Sequence, residues 1–149
     1  MSWRAGIHGY VAQWGVVTAP LGRPLAPHLS RPALYQRGCF AFDPHRVAVW
    51  FMHREGQSFG VGSAIELDMW EDDYGLAFAF VPPPTSYSLV CGIAQGRYAE
   101  CSPGIKIAES TIVWGVEHIG FAVVDEISIC PRGACPEPRA GMRPPPHRI

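Results

Sequence analysis

The sequence predicts a mainly β domain of the α+β class: an antiparallel β-barrel, closed or partly closed, of about six to seven strands with one or two helices. Of its 149 residues, 48% are hydrophobic and 17% are charged, a balance typical of a folded core. The 16 glycines and 15 prolines favour short strands and turns over long helices. Closure of the sheet would protect the edges of its strands.

The first half of the chain carries strand-like segments around a long irregular one. Residues 20–44 contain five prolines and are expected to form a surface excursion. The first strand is expected to bulge at Gly9 or Gly15. The strands predicted from alternating and β-branched residues cover 7–18, 47–52, 62–70 and 76–81, the last two joined as a hairpin by a turn at 71–75.

The second half adds a helix and further strands. A helix is predicted over residues 87–95, after Thr85 or Ser86 as its cap. The domain is expected to span residues 1–131, followed by a Pro/Arg-rich extended tail over residues 132–149. The remaining predicted strands cover 98–108, 111–117 and 119–130.

Net charge and apolar run length exclude several classes of function. The net charge is −1 and the isoelectric point is near 6.6, which argues against a nucleic-acid binder or a protein that binds anionic membranes. No apolar run approaches the ~20 residues of a membrane span. The start of the chain lacks the apolar segment of a secretory signal, so a cytoplasmic location is expected.

The cysteines favour free thiols over a metal centre. There are five of them, an odd number without paired metal-ligand spacing, so neither a metal nor another cofactor is expected. In a reducing cytoplasm they would stay free. A zinc-binding domain that uses the cysteines with His118 is kept as an alternative.

Three polar residues lie at the ends or on the faces of predicted strands, in positions that catalytic residues often occupy. Ser102 precedes a Pro-Gly break beside a strand, which is where a nucleophilic hydroxyl can be held exposed. His53 follows an apolar strand. Alternation places Glu126 on the face opposite Ile127, and so toward solvent or a cleft if Ile127 faces the core. Each residue also has an ordinary interpretation: a turn serine, a structural histidine and a solvated carboxylate.

In order and spacing, however, the motifs of the chain resemble one family. The resemblance runs from residue 7 to residue 138. Its first motifs are Gly9-Tyr10-Val11-Ala12, Arg37-Gly38-Cys39-Phe40, and the apolar strand 49–53, which ends on His53 and is followed by Gly60. The later motifs are Leu67-Asp68 with residues 71–76, residues 96–105, which include Ser102, and Asp125-Glu126-Ile127-Ser128-Ile129. Together they are similar to the prohead (capsid maturation) proteases of tailed bacteriophages, serine peptidases similar in fold to herpesvirus assemblin.

The resemblance implies an assemblin-like fold and a catalytic triad. His53 would be the general base, Ser102 the nucleophile and Glu126 the third member. His118 is the runner-up for the third role, because assemblin-like proteases use a second histidine. The neighbouring Cys101 is expected in the core, since adjacent strand residues point to opposite faces.

The resemblance also implies partners and a place of action. The substrates would be the scaffold segment of the major capsid protein and the protease itself, inside the prohead in the host bacterial cytoplasm. A homodimer through the helix at 87–95 is a further expectation, carried by apolar Leu89, Val90 and Ile93.

Two departures from the family pattern support a second function. Pro103 removes one backbone N–H beside the nucleophile. Residues 131–138 also differ from the usual ending of the family. The alternative is therefore a catalytically degenerate β-barrel protein that acts in capsid assembly or binds scaffold.

Overall fold

The computed structural model describes residues 6–18, 31–51, 54–95, 98–131 and 140–141. Within these residues the chain is mainly β with one α-helix, as predicted. The strands are β1 (Ile7–Gln13), β2 (Ala33–Tyr35), β3 (Phe40–Ala41), β4 (Ala48–Phe51), β5 (Arg54–Val61), β6 (Asp68–Glu71), β7 (Gly75–Phe80), β8 (Tyr98–Val113), β9 (Val116–Pro131) and β10 (Ala140–Gly141). The helix α1 (Tyr87–Ala94) follows a 3₁₀ turn over Pro84–Ser86.

The first sheet has the order β10-β1-β7-β6. Its β6–β7 hairpin confirms the predicted one, although the first strand begins at Asp68 because residues 62–66 form turns. The bulge in β1 lies between Tyr10 and Ala12, so the prediction of Gly9 or Gly15 was wrong. Two residues of the predicted tail, those of β10, pair with β1.

The second sheet is built around β9. Along one edge, β9 pairs with β8 from end to end in antiparallel register. Along the other edge it pairs in parallel with β2, then β3, then β4, and β5 pairs with β4. Three parallel pairings therefore depart from the purely antiparallel prediction. The described pairings form two sheets and no closed barrel.

The β8–β9 hairpin corrects the predicted strand boundaries. One tight turn at Trp114 and Gly115 joins two 16-residue strands, where three shorter strands were predicted. Both turn residues have positive φ, 51° and 75°, as a type I′ turn requires. Residues 109 and 110, which lie between two of the predicted strands, are part of β8 and stand at register shifts of the ladder. Bulges thus absorb the irregularity without ending either strand.

The helix covers the core with its apolar side. Ile93 is buried in the main hydrophobic cluster, and Leu89 and Val90 pack against it. Leu89 and Val90, which were expected with Ile93 to offer exposed area for a dimer, are partly buried against this core. No helix in the described part of the chain is long and apolar enough to cross a membrane.

A buried carboxylate organises the β6–β7 turn. Asp72 Oδ1 accepts hydrogen bonds from the backbone N–H groups of Tyr74 and Gly75, and Oδ2 accepts one from the Tyr10 hydroxyl at 2.6 Å. Burial alone would raise the pKa of Asp72, but these hydrogen bonds and the charge of Arg37 hold it below its ordinary value of 3.8. Asp72 therefore stabilises this turn as an ionised group.

Candidate active site

Ser102 and Glu126 are brought together by the β8–β9 ladder. Ser102 lies directly opposite Ser128, and Gly104 lies directly opposite Glu126. Residues directly opposite or two apart on one strand share a face of the sheet, so all four belong to one face. Two of the three predicted triad residues are therefore neighbours in the structure.

This shared face is buried, contrary to one expectation. Ile127 and Ile129 lie in the hydrophobic core on the other face, as anticipated. Glu126 was then expected to face solvent or a cleft, but it is only 6% exposed. Ser102 is 8% exposed and Ser128 is fully buried. The sheet is covered on both sides here, which places the polar groups in an environment where electrostatic interactions are strong.

The carboxylate of Glu126 has a defined position. The Ser128 hydroxyl donates a 2.7 Å hydrogen bond to its Oε2. A Cβ atom added to Gly104 would lie 2.4 Å from Glu126 Cγ and 2.5 Å from Oε1. The Glu126 side chain therefore leans across the ladder onto β8 and fills the space that a glycine leaves open.

The predicted base, His53, lies outside the described residues. The strand before it, β4, ends at Phe51, and β5 begins at Arg54, its register partner. Phe51 lies opposite Ile129 of β9, and Trp50 lies opposite Ser128. The described chain on both sides of position 53 is therefore held to the same sheet as Ser102 and Glu126.

His118 is remote from this group. It lies on β9 eight residues before Glu126, which is roughly 25 Å along the strand. There it lines a pocket of about 460 Å³ together with Arg37 and Cys39. Burial raises the pKa of the Cys39 thiol to about 11, so this pocket holds no activated thiolate at neutral pH.

The cysteines divide into two states. Cys39, Cys91 and Cys101 are free thiols, and Cys101 is buried in the core as predicted. Cys130 is disulfide-bonded, so the prediction of free thiols throughout was wrong. In the described residues no group of three or more His, Cys, Asp or Glu side chains is placed to hold a metal ion.

Pro103 lies within the β8–β9 ladder. It pairs in register with Ile127, between Ser102 and Gly104. Because proline lacks an N–H, the residue after Ser102 offers no backbone donor to an oxyanion. An oxyanion donor must therefore be a group other than the backbone of residue 103.

Sequence reasoning missed Ser128 and Gly104 as members of the site. Both lie in motifs that carry the family resemblance, but the resemblance implies no role for either. The available signal was spacing: each lies two residues from a predicted triad member on the same strand, Ser128 after Glu126 and Gly104 after Ser102. The carboxylate–hydroxyl bond itself depends on side-chain rotamers, which spacing does not specify.

Comparisons with known proteins found no match to a protein-family model, a curated protein or a solved structure.

Proposed function

We propose that the protein is a serine endopeptidase of phage or prophage capsid maturation, with Ser102 as nucleophile, His53 as general base and Glu126 as the orienting acid. The observation that carries the proposal is the cross-strand placement of Ser102 beside Glu126 on one buried face. The order of sequence motifs supplies the family, since the comparisons supply none.

The separation of acid and hydroxyl suits an intervening imidazole. Glu126 Oε1 lies over Gly104, and the backbone of Gly104 lies two residues, or about 7 Å of strand, from that of Ser102. An imidazole that makes a hydrogen bond of ~3 Å at each ring nitrogen spans about the same distance. A histidine entering between them would contact both groups.

The catalytic cycle follows triad chemistry. His53 takes the proton of the Ser102 hydroxyl as its oxygen attacks the scissile carbonyl, and returns that proton to the leaving amine. Glu126 holds the imidazole in the correct tautomer and stabilises the imidazolium. Water then hydrolyses the acyl-enzyme by the same steps. His118 takes no part, because it lies far along β9 from Ser102.

The same proposal covers the substrate, the place of action and the details of the fold. The substrate is the scaffold segment of the major capsid protein, together with the protease itself, inside the assembling prohead in the bacterial cytoplasm. For the fold, the proposal is that the two sheets belong to an assemblin-like barrel. A homodimer remains part of the proposal, although the apolar residues of α1 cover the core.

One observation favours a second candidate, the catalytically degenerate capsid-assembly or scaffold-binding protein. Pro103 leaves the position after Ser102 without a backbone donor. In an active enzyme a different donor must stabilise the oxyanion, whereas in a degenerate copy no such requirement applies. Cleavage activity distinguishes the two.

The experiment is co-expression with the cognate capsid protein, read by mass spectrometry. The wild type is expected to remove the scaffold segment, and Ser102→Ala is expected to leave it intact. Ser63→Ala, at an exposed turn serine, is the matched control and should process normally. Processing by Ser102→Ala would overturn the assignment of the nucleophile, and a folded wild type without processing would favour the degenerate protein.

A further inference from the structure

The strongest unassigned feature near the site is the hydroxyl of Ser128. It is fully buried and lies directly opposite Ser102 across the ladder. A buried hydroxyl needs a hydrogen-bond partner, and this one donates to Glu126 Oε2 at 2.7 Å. Bonds from a hydroxyl to a carboxylate are about twice as strong as neutral ones, so they fix geometry well.

We propose that Ser128 is a positioning residue of the site: it holds Oε2 of Glu126 and thereby turns Oε1 toward the strand of Ser102. This inference rests on the proposed function for its catalytic meaning. The position of the carboxylate itself rests only on described contacts.

A glutamate side chain has three rotatable bonds, so a carboxylate placed by its backbone alone would sample several positions. Ser128 restrains the carboxyl end, and the absence of a side chain at Gly104 admits the middle of the side chain. Oε1 lies on the Gly104 side, and in the proposed function it is the oxygen that orients the imidazole. Misplacing a catalytic group by ~1 Å is enough to cost about 10²-fold in rate.

Ser128 is also unsuited to be the nucleophile in place of Ser102. It is 0% exposed, whereas Ser102 is 8% exposed on the neighbouring strand. Its hydroxyl hydrogen is directed to the carboxylate of Glu126, so it is not offered to the histidine that the proposed function assigns as general base. The two serines of the cross-strand pair therefore have different roles, one reacting and one positioning.

The test measures reactivity with a fluorophosphonate, because this probe needs no knowledge of the cleavage site. The serine oxygen bonds to phosphorus, fluoride leaves, and the hydroxyl proton passes to the base. We expect Ser128→Ala to lower the limiting labelling rate about 10- to 100-fold with little change in the probe concentration at half-saturation. Ser86→Ala removes another buried serine hydroxyl, bonded to Pro83, and should label at the wild-type rate.

A second readout does not require activity. The ¹³C signal of the Glu126 carboxyl, assigned by its loss in Glu126→Gln, should shift in Ser128→Ala and stay in place in Ser86→Ala. Wild-type labelling with an unmoved signal in a folded Ser128→Ala protein would overturn the inference. If Ser102→Ala abolishes labelling while Ser128→Ala labels at the wild-type rate, the proposed function survives and the positioning role fails. If the wild type does not label, the proposed function fails and the carboxyl signal alone decides whether Ser128 holds Glu126.

Discussion

The two halves of the β8–β9 ladder use one pair of strands in opposite ways. In the inner half, residues 101–104 with 126–129, the chain buries two hydroxyls and a carboxylate. In the outer half, residues 109–113 with 116–121, every β8 side chain is exposed. The turn between the strands carries Trp114, which is 98% exposed.

Both halves depart from the usual distribution of polar and apolar side chains. The inner half buries polar groups, and the outer half exposes large apolar side chains. Polar groups are normally kept outside and large apolar groups inside, because burying an unpaired polar group costs free energy. The inner half keeps polar groups inside with a specific bond between Ser128 and Glu126. The outer half places Ile112, Val113 and Trp114 in water at no benefit to the core. The outer half also buries Glu117, which accepts a 2.8 Å hydrogen bond from the Ser110 hydroxyl, and Ile119 of the core. The proposed chemistry is assigned to the inner half because Ser102 and Glu126 lie there.

The largest expected effect is on activity in the inner half. Ser102→Ala should lower kcat/KM by roughly 10⁴- to 10⁶-fold, and Glu126→Gln by roughly 10⁴-fold, since the amide no longer stabilises the imidazolium. His118→Ala, in the outer half, should change it little. Rates on one peptide that spans the processed bond decide this. If His118→Ala lost far more activity than Glu126→Gln, the third residue would be wrong.

Gly104→Ala tests the packing of the inner half. The added Cβ would lie 2.4 Å from Glu126 Cγ, so the glutamate must leave its position. We expect about 1–3 kcal/mol of destabilisation and a marked loss of rate. Gly120→Ala is the matched control, because its Cβ would meet its nearest neighbour at 3.6 Å, an ordinary contact. Equal unfolding free energies for the two variants in urea would contradict the description of the site.

The stability of the protein in acid tests the buried carboxylate of Asp72, which lies outside the β8–β9 ladder. The folded pKa of Asp72 lies below its ordinary value of 3.8, so its stabilisation is present above about pH 5 and is lost as pH falls further. Asp72→Asn should cost about 1–3 kcal/mol at pH 7, because an amide cannot satisfy all of its donors. It should also flatten the acid limb of the stability curve. A variant whose stability still fell as steeply in acid as the wild type would show that Asp72 does not set this limb.

Gly115→Ala tests the turn at the end of the outer half. Its φ is 75° and a Cβ would meet nothing within 4 Å, so only backbone strain opposes the change. We expect a loss of about 1 kcal/mol, measured by urea unfolding, and no loss of activity. A fall in activity would mean that the two halves are coupled.

Trp114→Asn should have the smallest effect. Almost the whole side chain is in water, and asparagine suits the positive φ of 51° at this position. Stability should stay within about 0.5 kcal/mol of the wild type. A loss above ~1 kcal/mol would indicate that Trp114 packs against another surface in solution.

Much of the fold could be predicted because local patterns specify it. The β6–β7 hairpin and α1 follow from alternation, turn residues and prolines, and each is found near its predicted place. The β8–β9 turn was missed because tryptophan is a poor signal for positive φ, and because bulges resemble strand breaks in the sequence. The parallel pairings of β9 depend on long-range contacts, which no local pattern specifies.

The candidate site could be predicted only as far as its residue types and order allow. Alternation separates Glu126 from Ile127, but the burial of Glu126 depends on what packs against its face of the sheet, which the sequence does not reveal. The bond between Ser128 and Glu126 depends on side-chain rotamers. The same holds for the space at Gly104, which becomes visible only once the ladder register is known.

The most direct measurement is the position of the covalent adduct after reaction with a fluorophosphonate, mapped by peptide mass spectrometry. We predict a single adduct on Ser102, absent from Ser102→Ala and from heat-unfolded wild type. An adduct on Ser128, or no adduct on a protein that unfolds cooperatively, would contradict the claim that the inner half of the ladder is a serine protease site.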